Sequence, residues 1–314
     1  MLQQTTVGTV VNHFDRFISI YPSLSDLAAS SEEEILINWK GLGYYRRAKN
    51  LRRACIEIED KHSGVIPKKI DELVEIGGIG PYTSSALISI GQNQRALAVD
   101  ANLERVLSRI YGIGELKGPK LQREIRDQFD RKEILKEFKS GFRGLNEALM
   151  DLGRVYCRSK KVSCELCPMS DDCFSFNSGD PLRFPKELAK KINSKNFELT
   201  LARIIVKKNG KVLGYKKDAK QWLSGQFEIP TFIISSEDKK LTQYPVLSAK
   251  PSLFKDATSY KTSITKYKIT NLVIAISEKE FLKNFSKDSF IYKGSDLEKS
   301  NFSTASIKAM KKVI

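Results

Sequence analysis

Ile76-Gly77-Gly78-Ile79-Gly80-Pro81-Tyr82-Thr83 lies between two segments with helical apolar periodicity. Gly78 and Gly80 permit a tight turn with positive φ. Pro81 suits the first turn of the following helix. A corner of this kind turns free backbone N–H groups toward an anion, and a DNA phosphate fits. Alone, the string also suits any corner between two helices. Downstream stands Val99-Asp100-Ala101-Asn102-Leu103-Glu104-Arg105-Val106. In isolation Asp100 reads as the N-cap of the helix carrying Leu103, Val106, Leu107 and Ile110.

Working outward, the first half of the chain reads as helices. Val7, Val10, Val11, Phe14 and Phe17 form an apolar stripe. Ser31 and Glu34 have capping-box spacing, and Gly41 and Gly43 end that helix. Leu145, Leu149, Leu152 and Tyr156 give another stripe, followed by Cys157, Cys164, Cys167 and Cys173 in the spacing C-x6-C-x2-C-x5-C. Four thiolates suit a soft metal centre, either zinc or an iron–sulfur cluster. Spacing alone leaves that choice open. Cys55, outside the pattern, is expected to be a buried structural thiol.

The second half changes period. Residues 177–197 are polar and basic, with Pro181 and Pro185, and read as a linker. Leu199, Leu201 and Ile204-Ile205-Val206 predict a strand. Asn209-Gly210 predicts a two-residue hairpin into Val212, Leu213 and Tyr215. Ile229–Ile234 and Leu272–Ile276 predict further strands. A helical domain over 1–176 joined to a smaller α+β domain over 198–314 follows.

Lys and Arg number 53 against 37 Asp and Glu, a net charge of +16, which favours a polyanionic partner. No apolar run approaches the ~20 residues that cross a bilayer, and the N-terminus lacks a signal-peptide pattern. A monomeric cytoplasmic, nucleoid-associated protein with no membrane partner is expected. The cysteines do not make a secreted disulfide scaffold.

Taken together, the glycine turn, Asp100 and the cysteine spacing resemble the helix–hairpin–helix glycosylases of the endonuclease III and MutY superfamily. That resemblance implies a four-iron four-sulfur cluster on Cys157, Cys164, Cys167 and Cys173, beside the basic residues Arg154, Arg158, Lys160 and Lys161. It implies that Gly78, Gly80 and Asn102 contact DNA and that Asp100 and Tyr82 are catalytic, Tyr82 orienting the sugar or Asp100 and Asn102 holding the loop. The family pattern is V-D-G-N-hydrophobic-x-R-V, and Ala101 replaces its glycine. Bifunctional members carry a Schiff-base lysine where Tyr82 stands, so Tyr82 implies hydrolysis without strand cleavage. Leu2-Gln3-Gln4-Thr5 and Gly41-Leu42-Gly43-Tyr44-Tyr45-Arg46-Arg47-Ala48 match segments of the MutY branch. There the glutamines probe the opened base pair and a tyrosine, here Tyr44, wedges beside the oxidised guanine.

The C-terminal part resembles more thinly the MutT-like (Nudix-like) domain that reads 8-oxoguanine. Ile264-Thr265-Lys266-Tyr267 aligns with that family's F-S-H loop: Thr265 keeps a hydroxyl and Lys266 replaces the histidine. The acidic box of pyrophosphate hydrolases is absent. The resemblance thus implies removal of adenine mispaired with 8-oxoguanine or guanine in double-stranded DNA. Asp100 would stabilise an oxocarbenium-like sugar. The family's acid, a glutamate, falls two residues before the position of Met1. The expectation is that this chain binds DNA and cleaves poorly, with a reading frame begun at an internal methionine favoured over a decayed gene. Three other readings stand: an endonuclease III-like enzyme for oxidised pyrimidines, a non-catalytic lesion-binding protein, and, third, a generic zinc-bearing DNA-binding protein.

Overall fold

The computed structural model describes residues 1–131, 140–185, 196–249, 251–286, 289–294 and 300–313. Residues 186–195 of the expected linker lie outside them. Two compact units result, Met1–Arg52 with Asn193–Ile314, and Arg53–Ile192. This grouping differs from a division at residue 177, because the first helices pack with the C-terminal sheets. Lys40 Nζ donates to the Ser300 carbonyl at 2.9 Å, and Lys293 pairs with Glu33. A side chain at Gly225 would meet Glu32 and Lys49 at 2.8 and 2.9 Å.

The helices are α1 (Val7–Ile20), α2 (Leu24–Ala29), α3 (Glu32–Asn38), α4 (Arg46–His62), α5 (Ile70–Val74), α6 (Pro81–Ala86), α7 (Ala101–Tyr111), α8 (Gly118–Arg131), α9 (Gly141–Val155) and α10 (Phe174–Asn177). The Ser31/Glu34 capping box forms at α3, and an unforeseen second one, Ser23/Asp26, starts α2. The α1 stripe is only partly used: Val10 and Phe17 are buried, whereas Val7, Val11 and Phe14 are exposed. Gly41 and Gly43 take φ of +100° and +67°, the left-handed values that end the segment after α3.

In the Arg53–Ile192 unit the α7 stripe packs against α8 and α9. Leu103, Val106 and Leu107 are fully buried with Leu121, Ile125, Leu145 and Leu149. Gly112, at φ +74°, caps α7 in the left-handed conformation. Between α6 and α7 the chain makes a π-helical turn, Leu87–Gly91, then an extended run. Buried Asn146 on α9 holds that run: its Oδ1 accepts from Ala98 N at 2.8 Å and its Nδ2 donates to Ala96 O at 3.0 Å.

The C-terminal sheets hold β1 (Phe197–Ile205), β2 (Lys207–Lys208), β3 (Lys211–Lys216), β4 (Phe227–Glu228), β5 (Thr231–Ser236), β6 (Thr258–Ile264), β7 (Tyr267–Ala275) and β8 (Ile291–Gly294), with α11 (Glu278–Asn284) and α12 (Thr304–Val313). One sheet runs β5-β1-β7-β6, with β1 and β7 parallel, and a second pairs β3 with β2, β4 and β8. Asn209 and Gly210, at φ +49° and +69°, form the expected hairpin between β2 and β3. Buried Glu228 sits between Arg203 and Lys217, at 2.5 and 3.0 Å. Ser306 and Ser303 donate to the same carboxylate. Burial alone would raise the Glu228 pKa; the two cations overcome it and hold the group down to about 2.

Candidate functional site

Asp100 is the N-cap of α7. Its Oδ1 accepts from Asn102 N at 2.9 Å and Leu103 N at 2.8 Å, and its Oδ2 from Asn102 Nδ2 at 3.1 Å. Capping fixes the carboxylate's orientation while leaving it half-exposed. Tyr82, on the first turn of α6, is half-buried. Its phenol is pushed up in pKa by burial and, second, by the Asp100 carboxylate. Asn102 Oδ1 in turn accepts from Arg105 Nη1 at 3.1 Å, while Arg105 Nε donates to the Cys157 carbonyl at 2.9 Å. A hydrogen-bonded chain therefore runs from Asp100 to the first cysteine.

The glycine turn is anchored by Leu73, Ile76 and Ile79, all buried. Gly77 N donates to Glu57 at 2.5 Å, and a side chain at Gly77 would collide with Arg53. Gly78 has φ +102°, as the turn requires. Gly80 corrects the expectation. It is the N-cap of α6 at φ −97° and ψ 176°, extended backbone open to any residue, and a Cβ there meets nothing within 4 Å. Pro81 follows it at the head of the helix.

The four cysteines after α9 are free thiols and line one cavity with Arg109, Ile110 and Met169. Arg109, itself buried, donates to Cys157 Sγ at 3.2 Å. Burial raises the Cys164 thiol, and Cys157, Cys173 and Cys167 add to the rise. Four soft donors around one cavity fit a polynuclear thiolate centre. Among the described residues no three His, Cys, Asp or Glu side chains converge on a position for a single metal ion.

Gln3, Gln4, Tyr44 and Thr265 belong to the other compact unit. Gln4 and Tyr44 both adopt left-handed backbone, φ +58° and +46°, and Tyr44 is 60% exposed. Thr265 occupies the tip of the β6–β7 hairpin at φ +49°. Lys266 beside it lies 4.5 Å from the centre of the Phe197 ring and 3.6 Å from Asp238. Residue patterns missed Asn146, Arg105, Arg109 and Arg47. The first three face neighbours some fifty residues away in sequence (Asn146 to Ala98, Arg105 and Arg109 to Cys157), and no local period reports such contacts. Cys55 is buried, as expected, with its thiol pushed up to about 11 by that burial.

Residues 1–130 match the family model of the HhH-GPD superfamily base excision DNA repair protein. An adenine DNA glycosylase of Buchnera aphidicola subsp. Acyrthosiphon pisum (strain APS) is 34% identical over 176 residues, 56% of this chain and 49% of that protein. The adenine DNA glycosylase of Homo sapiens is 33% identical over 176 residues, 55% of this chain and 31% of that protein. The chain thus spans about half the length of the first of these relatives. Among solved structures, a thermostable thymine-DNA glycosylase aligns over 56% of this chain and 80% of its own, at 27% identity and a TM-score of 0.48.

Proposed function

From a chain whose residues 1–130 belong to the HhH-GPD superfamily of base excision DNA repair proteins, of MutY type by its relatives, we propose a monofunctional adenine DNA glycosylase. It acts on adenine opposite 8-oxoguanine or guanine in double-stranded DNA. The observation that carries this reading is the Asp100 carboxylate, oriented at the N-terminus of α7 by Asn102 and Leu103 and left half-exposed, together with Tyr82, which offers no amine. A carboxylate so placed stabilises positive charge building on the deoxyribose as the base leaves. Without an amine there is no Schiff base, so the strand stays intact. The flipped adenine must also be protonated, which requires a separate acid.

Cys157, Cys164, Cys167 and Cys173 would hold a four-iron four-sulfur cluster. Its contribution is to fix the loop bearing Arg158, Lys160 and Lys161 as a basic surface. The protein's own part is Arg109, which meets the Cys157 sulfur. Lys266, a donor only, supports acceptance of both guanine and 8-oxoguanine opposite the adenine. Both offer O6 as an acceptor to an ammonium, whereas N7 accepts in guanine and carries a proton in the oxidised base.

The test is binding and excision on matched duplexes differing only in A:8-oxoguanine, A:G or A:T. Preference for the two mispairs, with no covalent adduct on borohydride treatment, supports the proposal. Equal binding to all three, or a trapped adduct, refutes it. Purified protein should show the broad visible absorption of an iron–sulfur cluster, bleached on reduction or chelation.

A further inference from the structure

We infer that Arg47 is a positioning residue that locks two DNA-probing segments, Met1–Thr5 and Leu42–Tyr44, into one edge. The inference rests on the DNA reading given above. The two Nη groups of Arg47 reach five acceptors. Nη1 donates to the carbonyls of Met1, at 2.5 Å, and Gln3. Nη2 donates to Thr5 Oγ1 at 2.8 Å and to the carbonyls of Leu42 at 3.0 Å and Gly43 at 3.2 Å. The guanidinium lies 5.4 Å from the centre of the Trp39 ring and 5.7 Å from that of Tyr44.

These acceptors bracket the strained residues. Gln3 and Thr5 flank Gln4, and Leu42 with Gly43 precedes Tyr44, the two positions in this edge where a non-glycine residue has positive φ. Such conformations are intrinsically unfavourable and persist only where the surroundings over-determine them. A planar fork with donors in fixed directions does this; a lysine ammonium at the end of a flexible stem cannot span the same five oxygens. Thr5 Oγ1 adds a bond to the Leu42 carbonyl at 3.3 Å. His13 Nε2 hydrogen-bonds the Lys40 carbonyl at 2.9 Å from α1, so the turn is held at two places. An exposed aromatic ring such as Tyr44 wedges into a base stack only if its backbone does not yield. Arg47 supplies that stiffness without touching the base pair itself.

The experiment uses the full chain and duplexes with 2-aminopurine in place of the adenine opposite 8-oxoguanine, whose fluorescence rises when the base is unstacked. Arg47→Lys should lower the preference for the mispaired over the matched duplex about tenfold, the order expected for losing charge-assisted bonds. The fluorescence rise should fall with it, while affinity for matched DNA stays unchanged. A variant that unstacks the base like the parent overturns the inference and leaves the DNA reading intact. A parent chain that gives no rise at any mispair overturns both. Should Arg47→Lys lower the thermal midpoint, Thr5→Val, which removes one of the five Arg47 acceptors and the long Thr5–Leu42 bond, decides: a smaller drop in the same signal supports the role, and no drop refutes it.

Discussion

Asp100 and Glu228 are both carboxylates with both oxygens occupied, yet they stand in opposite surroundings. Asp100 is half-exposed at a helix start, and its partners are neutral amides of its own chain turn. Glu228 is fully buried at the end of β4, and its partners are two cations and two hydroxyls drawn from β1, the end of β3 and the start of α12. The first arrangement orients a charge and leaves it free to meet a developing positive centre. The second consumes the charge within the fold. The difference teaches that partner type, more than the number of hydrogen bonds, separates a carboxylate available for chemistry from one that fastens strands.

The contrast can be broken by mutation. Glu228→Gln leaves Arg203 and Lys217 buried without their counter-charge, and a loss of about 3–5 kcal/mol in unfolding free energy is expected by chemical denaturation. The same carboxylate sets a pH window. Its pKa is depressed from 4.5 to about 2, so its contribution is whole above 4.5 and lost as pH falls toward 2. Stability curves of parent and variant should therefore converge as pH is lowered through that range; curves that stay parallel would place the ion triad outside the fold's energetics. Asp100→Asn tests the other side. Asparagine caps helices as well as aspartate, so the thermal midpoint should hold, while the proposed excision falls about 10²–10³-fold, a loss like that of one transition-state stabilising group. A large drop in midpoint with excision retained would reverse the assignment of roles. The smallest effect sharpens the baseline: Ser31→Ala removes an N-cap with no chemical duty, and about 1 kcal/mol of stability should go with it.

How far the sequence reveals these features depends on their range. Capping residues, the Asn209-Gly210 turn and the α7 stripe are local, and each is legible from spacing alone. Asp100 is legible as a cap from its own neighbourhood, and as more only through the company of the glycine turn and the cysteines. The Glu228 triad is not legible, because positions 203, 217 and 228 share no period and meet only when β1, β3 and β4 assemble. Arg47 looks like one more basic residue beside an aromatic pair, and four of its five acceptors are backbone carbonyls that no composition reveals. Gly80 shows the converse. A motif pattern marks it correctly as part of the turn but misstates its reason, since the φ-dependent constraint falls on Gly78 alone.

The contact at Gly225 reaches further than its size. With Glu32 and Lys49 against Gly225, Lys40 on the Ser300 carbonyl and Glu33 on Lys293, the first fifty residues and the C-terminal sheets form one compact unit. A gene fragment cut at the polar stretch after the cysteines would carry α1 to α3 away from the surface they fit. Dissection of this protein should therefore keep head and tail together, and drift in one of them will be tolerated only as fast as the other follows.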